Sequence, residues 1–156
     1  MCGIAGVFAD AGDPDADVLT AMTDCVAHRG PDDAGVYVDT PVGLAHRRLS
    51  IIDPQGGSQP LFNEDESVSV VFNGEIYNHR DLRTDLRGAG HHFDTDADTE
   101  VLVHAYEEYG MDFVERLEGM FAFALWDSNA ERLVLARDPM GIKPLFVARN
   151  AGRVAF

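Results

Sequence analysis

Basic residues are scarce in this chain. Twelve lysines and arginines stand against 27 acidic residues, the formal net charge is −15, and Lys143 is the only lysine. A surface of that sign repels nucleic-acid phosphates and anionic lipid, which argues against both as partners. The two cysteines, Cys2 and Cys25, are too few for a secreted disulfide framework and point to a reducing, cytoplasmic compartment. No apolar run approaches the roughly 20 residues of a membrane span, and no basic segment precedes an apolar stretch at the start. Linkers, repeats and low-complexity stretches are also missing. What remains is 156 residues, 46% of them hydrophobic, enough for one domain with a real core. The acidity has two readings of equal weight: compositional bias with a solvated surface, or adaptation to high salt, where counterions screen self-repulsion.

Residues 1–9 read as a strand spaced by Gly3 and Gly6. Val18, Ala21, Met22, Cys25 and Val26 follow at helical spacing, which predicts one packed face and a buried, inert Cys25. Strand signals come at 34–38, 42–52 and 67–72, and Asn73-Gly74 then suits a tight turn. Leu82 and Leu86 mark a helix closed by Gly88 and Gly90, and another helix starts near Asp98 and Thr99, both good cap types. After a short amphipathic piece at 113–117, strands are expected at 120–126, 132–136, 145–148 and 153–156. Hairpin-connected strands with a few helices outside predict an α+β fold with antiparallel sheets. The last strand begins with no turn or polar tail after it, the mark of a fragment of a longer polypeptide.

Cys2 directly follows the initiator methionine. Removing Met1 would leave Cys2 with a free α-amine, whose pKa of about 7.7–8.0 lets a neutral fraction take the thiol proton near neutrality. Nucleophile and general base would then belong to one residue. Taken singly, a cysteine at position 2 is more often incidental, and Asn73-Gly74 is more often a plain turn.

The surrounding motifs change that balance. Met1-Cys2-Gly3-Ile4-Ala5-Gly6-Val7-Phe8, His28-Arg29-Gly30-Pro31-Asp32, Arg48-Leu49-Ser50-Ile51-Ile52-Asp53 and Asn73-Gly74-Glu75-Ile76-Tyr77-Asn78 occur in order. Asp98-Thr99-Glu100, Gly119-Met120-Phe121-Ala122-Phe123-Ala124 and Arg137-Asp138-Pro139-Met140-Gly141-Ile142-Lys143-Pro144 follow them. Together they resemble the glutaminase domain of glutamine-hydrolysing asparagine synthetases, class II amidotransferases of the N-terminal nucleophile hydrolase superfamily. The resemblance covers the whole chain.

It implies a four-layer α/β/β/α sandwich, truncated at its C-terminal end, that hydrolyses L-glutamine to glutamate and ammonia. It makes Cys2 the nucleophile, and the Asn73 amide and Gly74 N–H the oxyanion hole. Arg48 would bind the glutamine α-carboxylate. Backbone groups of Leu49, Ile51 and Ile52 would line the pocket, and Glu75 and Asp98 would face the α-ammonium. Outside the resemblance, Asp98 also reads as a helix cap and Glu75 as a solvated acid. Lys143 falls in a turn that the resemblance places beyond the pocket. The related amidotransferases that make phosphoribosylamine and glucosamine 6-phosphate share the cysteine and the Asn-Gly pair but not the other motifs. Phe146 departs from the family's usual tyrosine. The ammonia would pass to a C-terminal synthetase domain, absent here, that activates aspartate with ATP and magnesium. Other readings stay open: another carboxylate acceptor, a non-catalytic regulatory module of the same fold, and a homodimer.

No cofactor or metal is expected in the chain itself. Asp94, Asp96 and Asp98 mimic a calcium loop, but Thr99 takes its glycine position and Ala105 its bidentate glutamate position. His91-His92 matches no standard zinc spacing, and Gln55-Gly56-Gly57-Ser58 lacks the lysine of a Walker loop.

Overall fold

Alternation of apolar residues along the strands builds two antiparallel sheets that bury their facing sides against each other. A computed structural model describes residues 2–10, 12–50 and 57–156. The first sheet runs β2 (Asp33–Asp39), β3 (Val42–Arg48), β1 (Gly3–Ala9), β9 (Arg153–Ala155), β8 (Ala148–Asn150). The second runs β4 (Leu61–Phe62), β5 (Val68–Ile76), β6 (Gly119–Asp127), β7 (Arg132–Arg137). Every pairing is antiparallel, and β9 lies between β1 and β8, with Phe156 bonded in both directions to Gly6 at 3.0 Å.

Period two sorts the side chains into layers. Val42 and Leu44 of β3 meet Val71 of β5 and Ala124 and Trp126 of β6 between the sheets, with Ile4, Phe8 and Phe156 packed around them. The opposite face of the second sheet presents Val70, Phe72, Phe121, Phe123 and Leu125 to α2 (His79–Ala89) and α3 (Glu100–Tyr109). On the outer face of the first sheet lies α1 (Ala16–Asp24). Helix, sheet, sheet, helices: this is the expected four-layer α+β arrangement.

Several local expectations need correction. The buried face of α1 carries Leu19 and Thr23, while Val18 is 50% exposed. Leu19 fills the space over Gly43, where a Cβ would come within 2.5 Å of its Cδ1. Thr23 can be buried because its hydroxyl bonds to the carbonyls of Leu19 and Thr20. Cys25, expected inside, is exposed just past the helix end, with its thiol on the Ala21 carbonyl. A single residue of helical phase separates the two faces, about 100° of rotation.

Asn73-Gly74 is not a turn. Both residues lie inside β5, paired to Ala122 and Phe121 of β6. Glycine is required there by close approach, because a Cβ on Gly74 would lie 2.3 Å from the Met120 carbonyl oxygen. The strand expected at 42–52 ends at Arg48, and residues 51–56 lie outside the described residues. Residues 145–148 belong mostly to a loop in which Phe146 is 82% exposed, and β8 starts only at Ala148.

The α1 phase is directly testable. Leu19→Ala should cost about 2–5 kcal/mol through the cavity it leaves. Val18→Ala should stay within about 0.5 kcal/mol. Urea unfolding of the two variants reads the difference, and a larger loss in Val18→Ala than in Leu19→Ala would place the buried stripe on the Val18 face.

Candidate active site

The interlayer that is apolar in mid-sheet turns polar at one end, and the same period-two rule does it. On β3, Val42 and Leu44 are followed on that face by His46 and Arg48; on β5, Val71 is followed by Asn73. Cys2 stands at the mouth of β1 on the face of Ile4 and Phe8. Of these, Cys2, Arg48 and Asn73 border a cleft of about 150 Å³, with Leu49, Gly74, Glu75 and Asp98. The expected site residues within the described chain are therefore brought together. Ile51 and Ile52 lie outside the described residues.

Alternation also settles which arginine faces the cleft. Arg47 points to the opposite face and pairs with Asp24 of α1, whereas Arg48, only 5% exposed, borders the cleft. The Cys2 sulfur receives the Leu49 N–H at 3.4 Å, and the Cys2 carbonyl accepts from Arg29 Nε at 3.0 Å, so both ends of the residue are held.

Among the described residues, the β5 edge that borders the cleft has no strand beside it beyond Val70. Strand β4 covers β5 only at Val70 and Ser69. Beyond them, the Phe72 N–H donates to Gln59 Oε1 at 2.6 Å, the Phe72 carbonyl accepts from His46 Nε2 at 3.1 Å, and the Ile76 N–H donates to Asp98 Oδ2 at 2.9 Å. Gly74 lies between Phe72 and Ile76, so the pleat aims its N–H from the same edge into the cleft.

Asp98 is thus no helix cap: its carboxylate serves the β5 edge, and α3 starts at Glu100 after Thr99, whose side chain makes no cap bond. Burial pushes the Asp98 carboxyl above its ordinary pKa; the Ile76 N–H and His79 oppose this, and Glu75 adds to it. A buried carboxylate in that state favours an arriving cation.

Residues 1–156 match the family described as glutamine amidotransferase domain. The chain belongs to that family. It is 47% identical over 150 residues to asparagine synthetase [glutamine-hydrolyzing] 2 of Bacillus subtilis (strain 168), covering 94% of this chain and 20% of that protein. A second B. subtilis protein, asparagine synthetase [glutamine-hydrolyzing] 1, is 45% identical over 161 residues, 100% of this chain and 25% of that one. Asparagine synthetase [glutamine-hydrolyzing] 2 of Oryza sativa subsp. japonica is 46% identical over 149 residues, 94% of this chain and 25% of its own length. The chain thus spans a fifth to a quarter of these curated relatives. Among solved structures, glutamine phosphoribosylpyrophosphate amidotransferase from B. subtilis, complexed with ADP and GMP, superposes with a TM-score of 0.77 at 20% identity, over 97% of this chain and 40% of that one. That likeness bears on the fold alone.

Some cleft residues of the amidotransferase domain were not foreseen. Gln59, Thr99 and Lys143 border the cleft, and Gln59 Nε2 reaches Thr99 Oγ1 at 3.4 Å. Lys143 is a correction: it was placed beyond the pocket, yet the loop holding it is drawn in by Asp138, whose carboxylate accepts the N–H groups of Phe121, Ile142 and Lys143. Gln59 stands just before the two-residue β4 and replaces a ladder bond at Phe72, a role that no sequence pattern signals.

His46 makes the site sensitive to acid. A carbonyl only accepts, so the bond to Phe72 places the proton on Nε2 of a neutral ring. Burial lowers the His46 pKa to about 4, helped by the Arg48 charge and opposed by the Phe72 bond. Between that value and 6.5, the unfolded chain binds a proton that the folded chain refuses, so stability rises with pH. The contribution is present above about pH 6.5 and is lost as pH falls toward about 4. We expect urea unfolding to show about 2 kcal/mol less stability from this group at about pH 5 than at about pH 7. His46→Gln should remove that part of the slope; an unchanged slope would reject a neutral buried His46.

Proposed function

We propose that residues 1–156 form a glutaminase domain that hydrolyses L-glutamine to glutamate and ammonia. The observation that carries this reading is the convergence of one thiol, one amide, one strand-edge N–H, one buried arginine and one buried carboxylate on a cleft of amino-acid size.

The chemistry follows from those groups. With Met1 removed, the Cys2 α-amine takes the thiol proton and the sulfur attacks the side-chain amide carbon of glutamine. The Asn73 amide and Gly74 N–H receive the oxyanion, where the loss of one such donor costs about 10²–10³ in rate. Ammonia leaves with the proton held by the amine, giving a thioester. Water, activated by the same amine, then releases glutamate and restores the thiol. Arg48 holds the substrate α-carboxylate, and Asp98, with Glu75, holds its α-ammonium. Ile51 and Ile52, with Leu49, complete the wall by resemblance. A clamp on both α-groups selects free glutamine over simple amides.

No step calls for a cofactor. By analogy with relatives named asparagine synthetases, the ammonia serves a synthetase domain of the same polypeptide, where ATP and magnesium act on aspartate. A reducing cytoplasm suits the free thiol. Among the described residues no helix is long and apolar enough to cross a membrane.

Release of glutamate from glutamine tests the reading. Cys2→Ala should abolish turnover while glutamine still binds, and Cys25→Ala, at an exposed position, should leave turnover intact. Arg48→Ala should mainly raise KM, and Asn73→Ala should mainly lower kcat. Full activity in preparations that mass spectrometry shows to retain Met1 would refute the α-amine as base.

A further inference from the structure

Away from the cleft, three separate elements bring two imidazoles and several carboxylates to one point. His91 follows Gly90, the left-handed cap of α2 (φ 108°), and its N–H is held by the Leu86 carbonyl at 3.0 Å. His104 lies on α3 and is 1% exposed; Glu107 lies one turn further along the same face. Glu64 comes from the turn between β4 and β5. One ligand atom from each of Glu64, His91 and His104 lies within 4.8 Å of the others.

The orientation of each group is more telling than its proximity. Glu64 Oε1 accepts the His92 N–H at 3.1 Å, leaving Oε2 aimed at His104 Nδ1, 3.6 Å away. Glu107 Oε1 accepts from Asn63 Nδ2 at 2.8 Å, leaving Oε2 3.2 Å from His104 Nδ1 and 3.8 Å from His91 Nδ1. Each carboxylate therefore spends one oxygen on the scaffold and turns the other to a common centre. The rings follow the same scheme: with both Nδ1 atoms inward, His91 Nε2 faces Glu108 Oε2 at 3.3 Å and His104 Nε2 faces Glu100 Oε1 at 3.9 Å. A carboxylate behind a metal-binding histidine fixes its tautomer and raises its basicity.

We propose that Glu64, His91, His104 and Glu107 form a structural zinc site that ties the β4–β5 turn to α2 and α3. Two imidazole nitrogens and two carboxylate oxygens suit a borderline divalent ion in tetrahedral geometry. Bonds of about 2.0–2.2 Å put tetrahedral ligands about 3.4 Å apart. His104 Nδ1 stands 3.2 and 3.6 Å from the two carboxylates, and Glu107 stands 3.8 Å from His91 Nδ1. Glu64, His91 and His104 lie within 4.8 Å of one another, so Glu64 and His91 must close in on the ion. The set is hidden in the sequence because its members are separated along the chain, and His92, the neighbour that mimics a pair, is exposed and contributes only its N–H, to Glu64.

The test titrates zinc chloride into the Cys2→Ala, Cys25→Ala chain, so that no thiol competes, with excess magnesium present to occupy the acidic surface. One saturable equivalent is expected, and cobalt in place of zinc should give the intense visible absorption of a tetrahedral site. His91→Gln and Glu64→Gln, both at positions open enough to spare the fold, should each weaken zinc binding by about 100-fold. His92→Gln should not change it. No saturable site, or equal affinity in the His91 and Glu64 variants, overturns the proposal, as does a weak octahedral cobalt spectrum.

Discussion

Strand β4 is two residues long, and much of the candidate site depends on that brevity. A β5 fully covered by a neighbour would have every outward N–H and carbonyl taken by a ladder. Here the cover ends at Val70, and the backbone groups beyond it need partners, because an unsatisfied buried amide costs about 1–3 kcal/mol. Gln59, His46 and Asp98 supply them at Phe72 and Ile76. Among the described residues, no strand covers the edge between them at Gly74. A sheet edge is ordinarily a liability for aggregation; sunk between two layers and capped by side chains, this one becomes a recess that a small molecule can enter and a second strand cannot.

The caps also join the layers electrically. His46 belongs to the first sheet and bonds a carbonyl of the second, beside Arg48, whose charge disfavours a proton on the ring. Asp98 leads into α3 and bonds β5. The cleft is thus bordered by a buried guanidinium and a desolvated carboxylate. A zwitterion such as an amino acid satisfies both without bringing net charge, which matters in a chain of formal charge −15. An anion would find Arg48 but also Asp98, and a simple cation the reverse.

Much of this was legible in the residues. Antiparallel layering follows from hairpin spacing and alternation, and the site motifs named Cys2, Arg48, Asn73, Gly74 and Asp98 before any geometry. The misses have physical causes. In α1, Val18 and Leu19 are equally apolar, and only the glycine opposite, Gly43 on another strand, decides which one packs. Asn73-Gly74 carries strong turn chemistry, yet the glycine is there for the Met120 carbonyl, a contact across strands. Lys143 is drawn into the cleft by the three bonds that Asp138 accepts, and no periodicity encodes such a loop.

These misses share one origin. Local patterns report on neighbours along the chain, while each deciding contact is made by a residue distant in sequence. Gln59 and Phe72, or His46 and Phe72, are ordinary residues until the sheets are stacked; then one side chain replaces a strand. The same reasoning gives a physical ground for Arg48 over Arg47, which the motif Arg48-Leu49-Ser50-Ile51 names on resemblance alone. Both have the same chemistry, but the pleat sends one to Asp24 and the other to the cleft. The register of β3 against β1, with Gly3 opposite Arg47, therefore sets which arginine faces the substrate side. A one-residue slip of that register would exchange the two, turning Arg48 away from the cleft and Arg47 toward it.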